Sequence, residues 1–345
     1  MKNYHIPDIE NLYNVVMRKK TEHPVLFEFI IDDVILRRHS HVHKNAKPGG
    51  LEYFMMIVDA YKNLGYDYAP LYPWATDLFS FKRIEHIVKE SYSLNEGALI
   101  TDWASFEKYV WSNPDDCDYS IFEKIKPYLP DGMKLLGCSN GGILENAMEI
   151  CGFENLCMMG ILEPDLTKEI FEHIGKRLYG YYKIVSAFDS VGILMVNDDW
   201  GFKTQTMFPP QMMRDYVFPW TKKIVEAIHE NGKLAILHSC GNLNLIMDEI
   251  ISDLRIDARH SFEDGIIPIE EAYDIWHDRI ALMGGIDVDF LTLKTPVEIK
   301  ERAFRLLEKT ANSGGYALGS GNSITSYTPE ENFLALISAA IDFES

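Results

Sequence analysis

Residues 233–242 read Lys-Leu-Ala-Ile-Leu-His-Ser-Cys-Gly-Asn and combine a buried strand with a candidate reactive pair. The apolar run is typical of a strand in a parallel sheet that helices cover. It ends abruptly at His238, Cys240 and Gly241. Because side chains alternate along an extended backbone, His238 and Cys240 lie on the same side of it. An imidazole and a thiol at the end of a strand indicate where chemistry is to be expected.

Seven other segments have the same short apolar pattern and alternate with amphipathic ones. They are residues 24–31, 66–72, 133–138, 191–197, 255–260, 279–286 and 315–320. Eight strands separated by helices predict an α/β fold, a (β/α)8 TIM barrel, with an open doubly wound sheet as the rival. No Gly-x-Gly-x-x-Gly sequence follows the first strand, which favours the barrel.

The segment between the third and fourth predicted strands, residues 138–188, is too long for one crossover helix. Its apolar periodicity predicts three extra helices, over residues 143–150, 155–162 and 166–186, lying over the barrel mouth. No linker rich in glycine, serine or proline divides the chain. We therefore expect a single domain over residues 1–345.

The composition restricts the partners and the compartment. Lysine and arginine total 33 against 52 aspartates and glutamates, a formal net charge of −19, which argues against nucleic acid or an anionic membrane as the main partner. Five scattered cysteines are typical of reduced thiols. The N-terminus lacks the apolar core of a signal peptide, and no apolar run approaches the roughly 18 residues of a membrane span. These features predict a cytoplasmic protein.

In a TIM barrel, the carboxyl ends of the strands and the loops after them form the active face. The residues predicted there are Asn197, Asp198, Asp199, Trp200, His238, Cys240, Asn242, Asp287 and Asn322. The three aspartates are candidate catalytic residues, and Asn197, Trp200, Asn242 and Asn322 are candidate cofactor-binding residues. Of the two adjacent aspartates, only one should face the barrel axis. The alternative for the adjacent pair is one helix or turn cap and one solvated charge, and the alternative for Asp287 is an Asx turn.

The pair His238-x-Cys240 is a candidate half of a zinc site, because imidazole and thiolate are both zinc ligands. The alternative is a hydrogen-bonded interior histidine beside a small buried cysteine. A second histidine group, His39-x-His41-x-His43, lies in a polar stretch, which is more typical of a solvated loop.

Several segments taken together resemble the uroporphyrinogen decarboxylase superfamily. They are Asn197-Asp-Asp-Trp-Gly201, Pro209-Pro210, His238-Ser-Cys-Gly-Asn242, Gly284-Gly-Ile-Asp287, Gly314-Gly-Tyr-Ala-Leu-Gly-Ser-Gly-Asn322 and Tyr327-Thr-Pro-Glu-Glu-Asn332. The resemblance covers residues 190–345 well and residues 1–190 loosely, and it implies a (β/α)8 barrel. The N-terminal Arg-x-x-x-Arg stretch of true uroporphyrinogen decarboxylases is not recognisable here. The resemblance is therefore to the corrinoid-dependent methyltransferase branch.

That branch implies a zinc ion held by His-x-Cys and by a distant cysteine after the last strand. His238 and Cys240 match the first two ligands, and Ala317-Leu-Gly-Ser-Gly-Asn322 has no cysteine for the third. The third ligand stays open among Asp199, Asp287, Cys138 and Glu163.

The resemblance implies a zinc-assisted methyltransferase. It would move a methyl group between a small methylated compound, or a thiol, and a corrinoid that a separate partner protein carries. Because the missing cysteine removes a negative charge, zinc should be the stronger Lewis acid, which favours a role in handling methyl donors. One alternative is a cofactor-independent decarboxylase of a tetrapyrrole or a small carboxylic acid. Another is a non-catalytic protein that binds a tetrapyrrole or a corrinoid. The sequence also leaves open whether the chain forms a homodimer.

Overall fold

The computed structural model describes residues 6–76, 78–83 and 98–343 of the chain. Its strands are β1 (Ile30–Ile31), β2 (Tyr68–Leu71), β3 (Lys134–Cys138), β4 (Val191–Asn197), β5 (Leu234–His238), β6 (Ala258–His260), β7 (Ala281–Met283), β8 (Tyr316–Ala317) and β9 (Ser323–Ile324). Strands β2 to β8 form one curled parallel sheet in sequential order. A doubly wound sheet would reverse its strand order at a switch point, so this alternative is excluded.

Helices precede, separate and follow these strands. They are α1 (Ile9–Val16), α2 (Asp33–His39), α3 (Leu51–Leu64), α4 (Trp103–Lys108), α5 (Ser120–Ile125), α6 (Ile143–Cys151), α7 (Phe153–Leu162), α8 (Pro164–Ser186), α9 (Pro210–Met212), α10 (Phe218–Glu230), α11 (Met247–Ser252), α12 (Ile269–Trp276), α13 (Val288–Leu293), α14 (Pro296–Thr310) and α15 (Glu330–Phe343). The helices predicted between the third and fourth strands are observed as α6, α7 and α8, which confirms that several helices fill this segment.

The segment around β1 completes the ring of strands. On one side, β1 pairs in parallel with β9, and the backbone N–H of Phe27 donates to the carbonyl of Leu318 at 2.8 Å. On the other side, the hydroxyl of Tyr68 accepts from the backbone N–H of Glu28 at 2.8 Å and donates to its carbonyl at 2.6 Å. The sheet is thereby curled into a barrel of the TIM type, as predicted.

Every predicted strand contains an observed one, but the observed strands are shorter. The backbone was expected to stay extended through Cys240, whereas the fifth strand, β5, ends at His238. The two-residue strand β9 was not predicted.

Pro219 interrupts the helical pattern that precedes β5. A π-helical segment, Met213–Val217, leads directly into α10. Proline has no N–H to donate into the preceding turn, and such wider turns are a known way of absorbing the break. The break that Pro219 causes in the helix therefore takes the form of a π-helical segment.

In the part of the chain that the structure describes, no helix is both long and apolar enough to cross a bilayer.

Candidate metal centre

The register of three strands aligns the residues that follow them. Asn197 of β4 pairs with His238 of β5, and His238 pairs with His260 of β6. The ends of these strands therefore lie level, and the loops after β4 and β5 meet above them. Asp199 and Cys240 lie in these loops.

Asp199, His238 and Cys240 form a group whose ligand atoms all lie within 4.8 Å of one another. Nε2 of His238 is 3.8 Å from Sγ of Cys240 and 4.0 Å from Oδ1 of Asp199. The same Oδ1 accepts a hydrogen bond from the backbone N–H of Cys240 at 2.8 Å. One nitrogen, one oxygen and one sulfur ligand are a combination that zinc binds readily. We call this group the Asp-His-Cys triad.

Two facing glycines allow the loops that carry the triad to approach so closely. A Cβ atom added at Gly241, whose φ is +84°, would lie 2.1 Å from the carbonyl carbon of Gly201. A Cβ added at Gly201 would lie 2.7 Å from the backbone nitrogen of Asn242. Only residues without side chains fit such a crossing. The crossing places Asp199 against the backbone of Cys240.

The inner side of the triad is buried and is formed by one aromatic ring and a second histidine. The ring of Phe29 lies 4.9 Å from that of His238, centroid to centroid, and Nδ1 of His238 lies 2.7 Å from Nδ1 of His260. Burial lowers the pKa of His238, although the charge of Asp199 opposes this effect. Burial also lowers the pKa of His260 well below its usual value. Both imidazoles are therefore neutral near pH 7.

Besides His238, the polar neighbours of Cys240 are Asn322, Ser261 and Asp199. Nδ2 of Asn322 lies 3.2 Å from its Sγ, and the hydroxyl of Ser261 lies at 3.8 Å. Burial, followed by the charge of Asp199, raises the pKa of the Cys240 thiol. A divalent cation would favour the thiolate by its own charge. The thiol is thus suited to be a ligand and poorly suited to react as a free nucleophile.

Asp198 points away from the triad and caps a helix. Its Oδ2 accepts from the backbone N–H groups of Ile143 and Leu144, both at 3.0 Å, and its Oδ1 accepts from that of Glu145 at 2.9 Å. Burial raises the pKa of Asp198 to about 6, and these backbone donors oppose the rise. The two adjacent aspartates point in different directions, and Asp199 is the one that joins the triad.

Asp287 is also occupied by backbone groups. Its Oδ1 accepts from the N–H groups of Asp289 and Phe290 at 2.8 and 3.1 Å, and its Oδ2 accepts from that of Asp264 at 2.8 Å. It caps α13 and fastens the loop after β6. Asp198 and Asp287 thus both bind backbone N–H groups, and a catalytic role for either one stays a prediction.

The four candidate cofactor-binding residues separate in the same way. Asn322 contacts Cys240, whereas Trp200 is fully buried. Oδ1 of Asn197 accepts from the backbone of Ser139 at 3.3 Å, and the Asn242 side chain accepts from the backbone two residues on. Of the four, the structure brings Asn322 to the triad, and the other three support strand ends and loops.

The other proposed third ligands and the histidine group lie elsewhere. Cys138 is buried in the core, and Glu163 is exposed just before α8. The histidines of the His39-x-His41-x-His43 sequence each face a different acidic residue. Those residues are Glu330, Asp59 and Glu52, respectively.

Sequence reasoning missed three residues around the triad. His260 ends the predicted strand 255–260, so the strand-end rule used for the other candidates would have found it. Phe29 and Glu145 carry no such signal, because their positions depend on how the barrel closes and where α6 starts. Burial, and then the charges of Asp198 and Asp199, raise the pKa of Glu145 well above its usual value.

Comparison with known proteins identifies a family over most of the chain. The family model described as uroporphyrinogen decarboxylase (URO-D) matches residues 111–343. A protein named uroporphyrinogen decarboxylase, from Koribacter versatilis (strain Ellin345), is 24% identical over 185 residues, 52% of this chain and 46% of that protein. The match therefore spans about half the length of that relative.

Two solved structures have the same fold. A methyltransferase from Methanosarcina mazei is similar with a TM-score of 0.69 and 15% identity, over 97% of this chain and 98% of that one. A protein assigned as a vitamin-B12 independent methionine synthase, from Listeria monocytogenes, is similar with a TM-score of 0.51 and 15% identity, over 94% and 97%. At this identity the similarity concerns the fold alone.

Proposed function

The chain belongs to the uroporphyrinogen decarboxylase (URO-D) family, and within that family we propose that it is a zinc-assisted methyltransferase. It would move a methyl group between a small methylated compound, or a thiol, and a corrinoid protein. The observation that carries the proposal is the Asp-His-Cys triad, with three different ligand atoms within 4.8 Å of one another. The fold shared with a Methanosarcina mazei methyltransferase is compatible with it.

The triad fits zinc by its chemistry and by its surroundings. Catalytic zinc sites commonly have three protein ligands and leave the fourth position for a substrate. His238 is neutral and can offer Nε2, and the half-buried carboxylate of Asp199 supplies an oxygen on the open side. Asp199, His238 and Cys240 would hold the ion, and Asn322 would donate a hydrogen bond to the Cys240 sulfur.

The residues of the chain bind, orient and shield the reacting groups. When bound, zinc supplies Lewis acidity toward the oxygen or nitrogen of a methyl donor, or lowers the pKa of an acceptor thiol. Phe29 and the buried His260 exclude water from the inner side of His238. For transfer from a methyl donor to the corrinoid substrate, the donor atom would keep the bonding electron pair, and cobalt(I) of that substrate would supply the pair for its new bond to methyl.

Asp199 changes the charge argument made from the sequence. A set of His, Asp and Cys has one carboxylate and one thiolate, so its total charge equals that of His with two thiolates. The difference is in hardness, since a carboxylate oxygen is a harder ligand than sulfur. The preference for donors with methyl on oxygen or nitrogen therefore rests on the type of ligand and no longer on a missing charge.

Metal analysis followed by a methyl-transfer assay tests the proposal. Protein purified without added metal should contain about one zinc per chain, and His238→Ala and Cys240→Ser should lose it. Cys117→Ser is a matched control, because Cys117 is a half-buried thiol that contacts the carbonyl of Asn113. Methyl transfer from a panel of O- and N-methyl compounds to cob(I)alamin should follow the zinc content.

The outcome that contradicts the proposal is folded protein without zinc affinity and without transfer from any donor in the panel. Transfer that persists in His238→Ala and Cys240→Ser would contradict the role of the triad specifically.

A decarboxylase is the second candidate, favoured by the names of the family and of the Koribacter versatilis relative. In that function, carboxylates would hold a tetrapyrrole ring or a substrate acid. The backbone contacts of Asp198 and Asp287 leave Asp199 as the available one of the three. Release of CO2 from a tetrapyrrole acid by zinc-free protein would favour this candidate over methyl transfer.

A further inference from the structure

His238 has a second histidine as its hydrogen-bond partner, and this partner lies outside the triad. Nδ1 of His238 is 2.7 Å from Nδ1 of His260. The two residues are paired in register on β5 and β6, so the backbone places their rings side by side, with centroids 4.9 Å apart. Two ring nitrogens at this distance require one donor and one acceptor.

The other nitrogen of His260 determines which ring donates. Nε2 of His260 lies 3.3 Å from the carbonyl oxygen of Ser320. Because a carbonyl oxygen can only accept, this Nε2 carries the proton, and the Nδ1 of a neutral His260 is left as an acceptor. Nδ1 of His238 therefore donates. Its Nε2 keeps a free lone pair on the side of Cys240, whose sulfur is 3.8 Å away.

The orientation of His260 is itself held by the closing strands of the barrel. His260 is fully buried, and the ring of Phe27 packs against it at 5.3 Å. The backbone N–H of Ser320 donates to Oε1 of Glu28 at 2.6 Å. Ser320 is thus held to Glu28, which precedes β1, and its carbonyl also accepts from the backbone N–H of Gly285 at 2.9 Å. These contacts fix the acceptor that orients the His260 ring.

We infer that His260 is a positioning residue, which holds His238 in the Nδ1–H tautomer and presents its Nε2 lone pair to the metal of the proposed function. Metal-bound histidines usually donate their second N–H to a carboxylate, a backbone carbonyl or water. Here a second imidazole has that place. His260 contacts neither the metal position nor the substrate side, and it acts through His238. The inference rests on the proposed function for its metal.

Two substitutions separate the hydrogen bond from the packing. His260→Leu fills a similar volume without an acceptor, and His260→Asn places a carbonyl oxygen close to the position of Nδ1. We expect zinc affinity, measured by competition with a chelator, to fall about 10- to 100-fold in His260→Leu and to recover largely in His260→Asn. His277→Leu, a change of a half-buried histidine beside Tyr273, should leave the affinity unchanged.

The tautomer can also be observed directly without changing His260. A long-range 1H–15N spectrum of zinc-free wild-type protein labelled at histidine should show His238 protonated at Nδ1, with its signals identified by their loss in His238→Ala. A His238 protonated at Nε2 would overturn the inference even when His260→Leu does not fold. So would equal zinc affinities of folded His260→Leu and wild type. A wild-type protein without zinc affinity would instead contradict the proposed function.

Discussion

At positions 198 and 199, two identical side chains have opposite surroundings. Asp198 is buried and accepts three backbone hydrogen bonds at the start of α6, whereas Asp199 is half-buried and faces His238 and Cys240. One carboxylate stabilises the fold and the other belongs to the candidate metal centre.

Exchanging each of these carboxylates for an amide should separate stability from metal binding. Asp198→Asn turns an NH2 group toward backbone donors, so we expect the free energy of unfolding to fall by about 1–3 kcal/mol with zinc affinity retained. Asp199→Asn should weaken zinc binding about tenfold or more and leave the unfolding free energy nearly unchanged. Urea unfolding and chelator competition measure the two effects. The reverse pattern would show that the roles of the two residues are misassigned.

Asn322 offers a way to restore a second thiolate. Its Nδ2 lies 3.2 Å from the Cys240 sulfur, so the side chain of Asn322→Cys would begin next to the triad. We expect zinc affinity to rise about tenfold or more, and the sulfur-to-metal bands of the cobalt-substituted protein to intensify. Asn242→Cys, at an asparagine whose side chain accepts from the backbone N–H of Asn244, should change neither. Equal gains in both variants would place Asn322 outside the centre.

What could be predicted at this scale followed from local geometry. The two-residue spacing of His238 and Cys240 predicts both side chains on one side of an extended backbone, although β5 ends at His238 and Cys240 lies in the loop after it. Which aspartate faces the triad could not be predicted, because it depends on where the first turn of α6 lies in space. The contact of His238 with His260 depends on the register between two strands, which periodicity does not determine.

Among the elements, the crossing of the loops after β4 and β5 decides whether the triad can form. Gly201→Ala would place a Cβ atom 2.7 Å from the backbone nitrogen of Asn242, which forces the loops apart. We expect a loss of about 1–3 kcal/mol in the free energy of unfolding and a weakened zinc affinity, because Asp199 moves with its loop. Thermal unfolding and zinc titration measure both.

The matched control for this prediction is Gly50→Ala, where an added Cβ meets no atom within 4 Å. It should have nearly wild-type stability and zinc affinity. Unchanged zinc affinity in Gly201→Ala would mean that the triad does not depend on the crossing.

Element positions were predicted better than element lengths. Continuous apolar runs identify the barrel strands because both faces of each strand are covered. The strands β6 and β7 are only three residues each, shorter than the apolar runs that predicted them. The pairing of β1 with β9 joins residues almost 300 positions apart in the chain, and a local pattern contains no information about it.

At the scale of the whole molecule, Glu28, which lies just before β1, makes the unfolding free energy of the barrel depend on pH. Burial raises the pKa of this carboxyl to about 8 from an ordinary 4.5. The folded state therefore binds the proton more tightly than the unfolded state, and stability falls as the pH rises between these two values. Relative to Glu28→Gln, the wild-type protein should lose about 1.4 kcal/mol of unfolding free energy per pH unit in this window.

Urea unfolding of both proteins between pH 5 and pH 9 measures that difference, and Glu107→Gln, at an exposed position, should give a flat difference. A flat difference for Glu28→Gln as well would mean that the carboxyl is ionised without cost.

The contacts of the segment around β1 lead us to propose that residues 1–345 unfold as a single domain. The segment around β1 lies between β2 and β8 and is bonded to both, so neither half of the barrel is complete alone. We expect one cooperative transition, with far-UV circular dichroism and tryptophan fluorescence changing together. Two separate transitions would indicate two independently folding units.

The pairing of β1 with residues beyond position 317 also has a consequence during protein synthesis. A ribosome adds about 5–20 residues per second, so residues 25–31 wait on the order of tens of seconds before Leu318 and β9 leave the exit tunnel. Throughout that time an apolar segment with free backbone groups is available to other chains. We therefore expect residues 25–31 to be open to chaperone binding on the nascent polypeptide, long before the metal-binding residues are all synthesised.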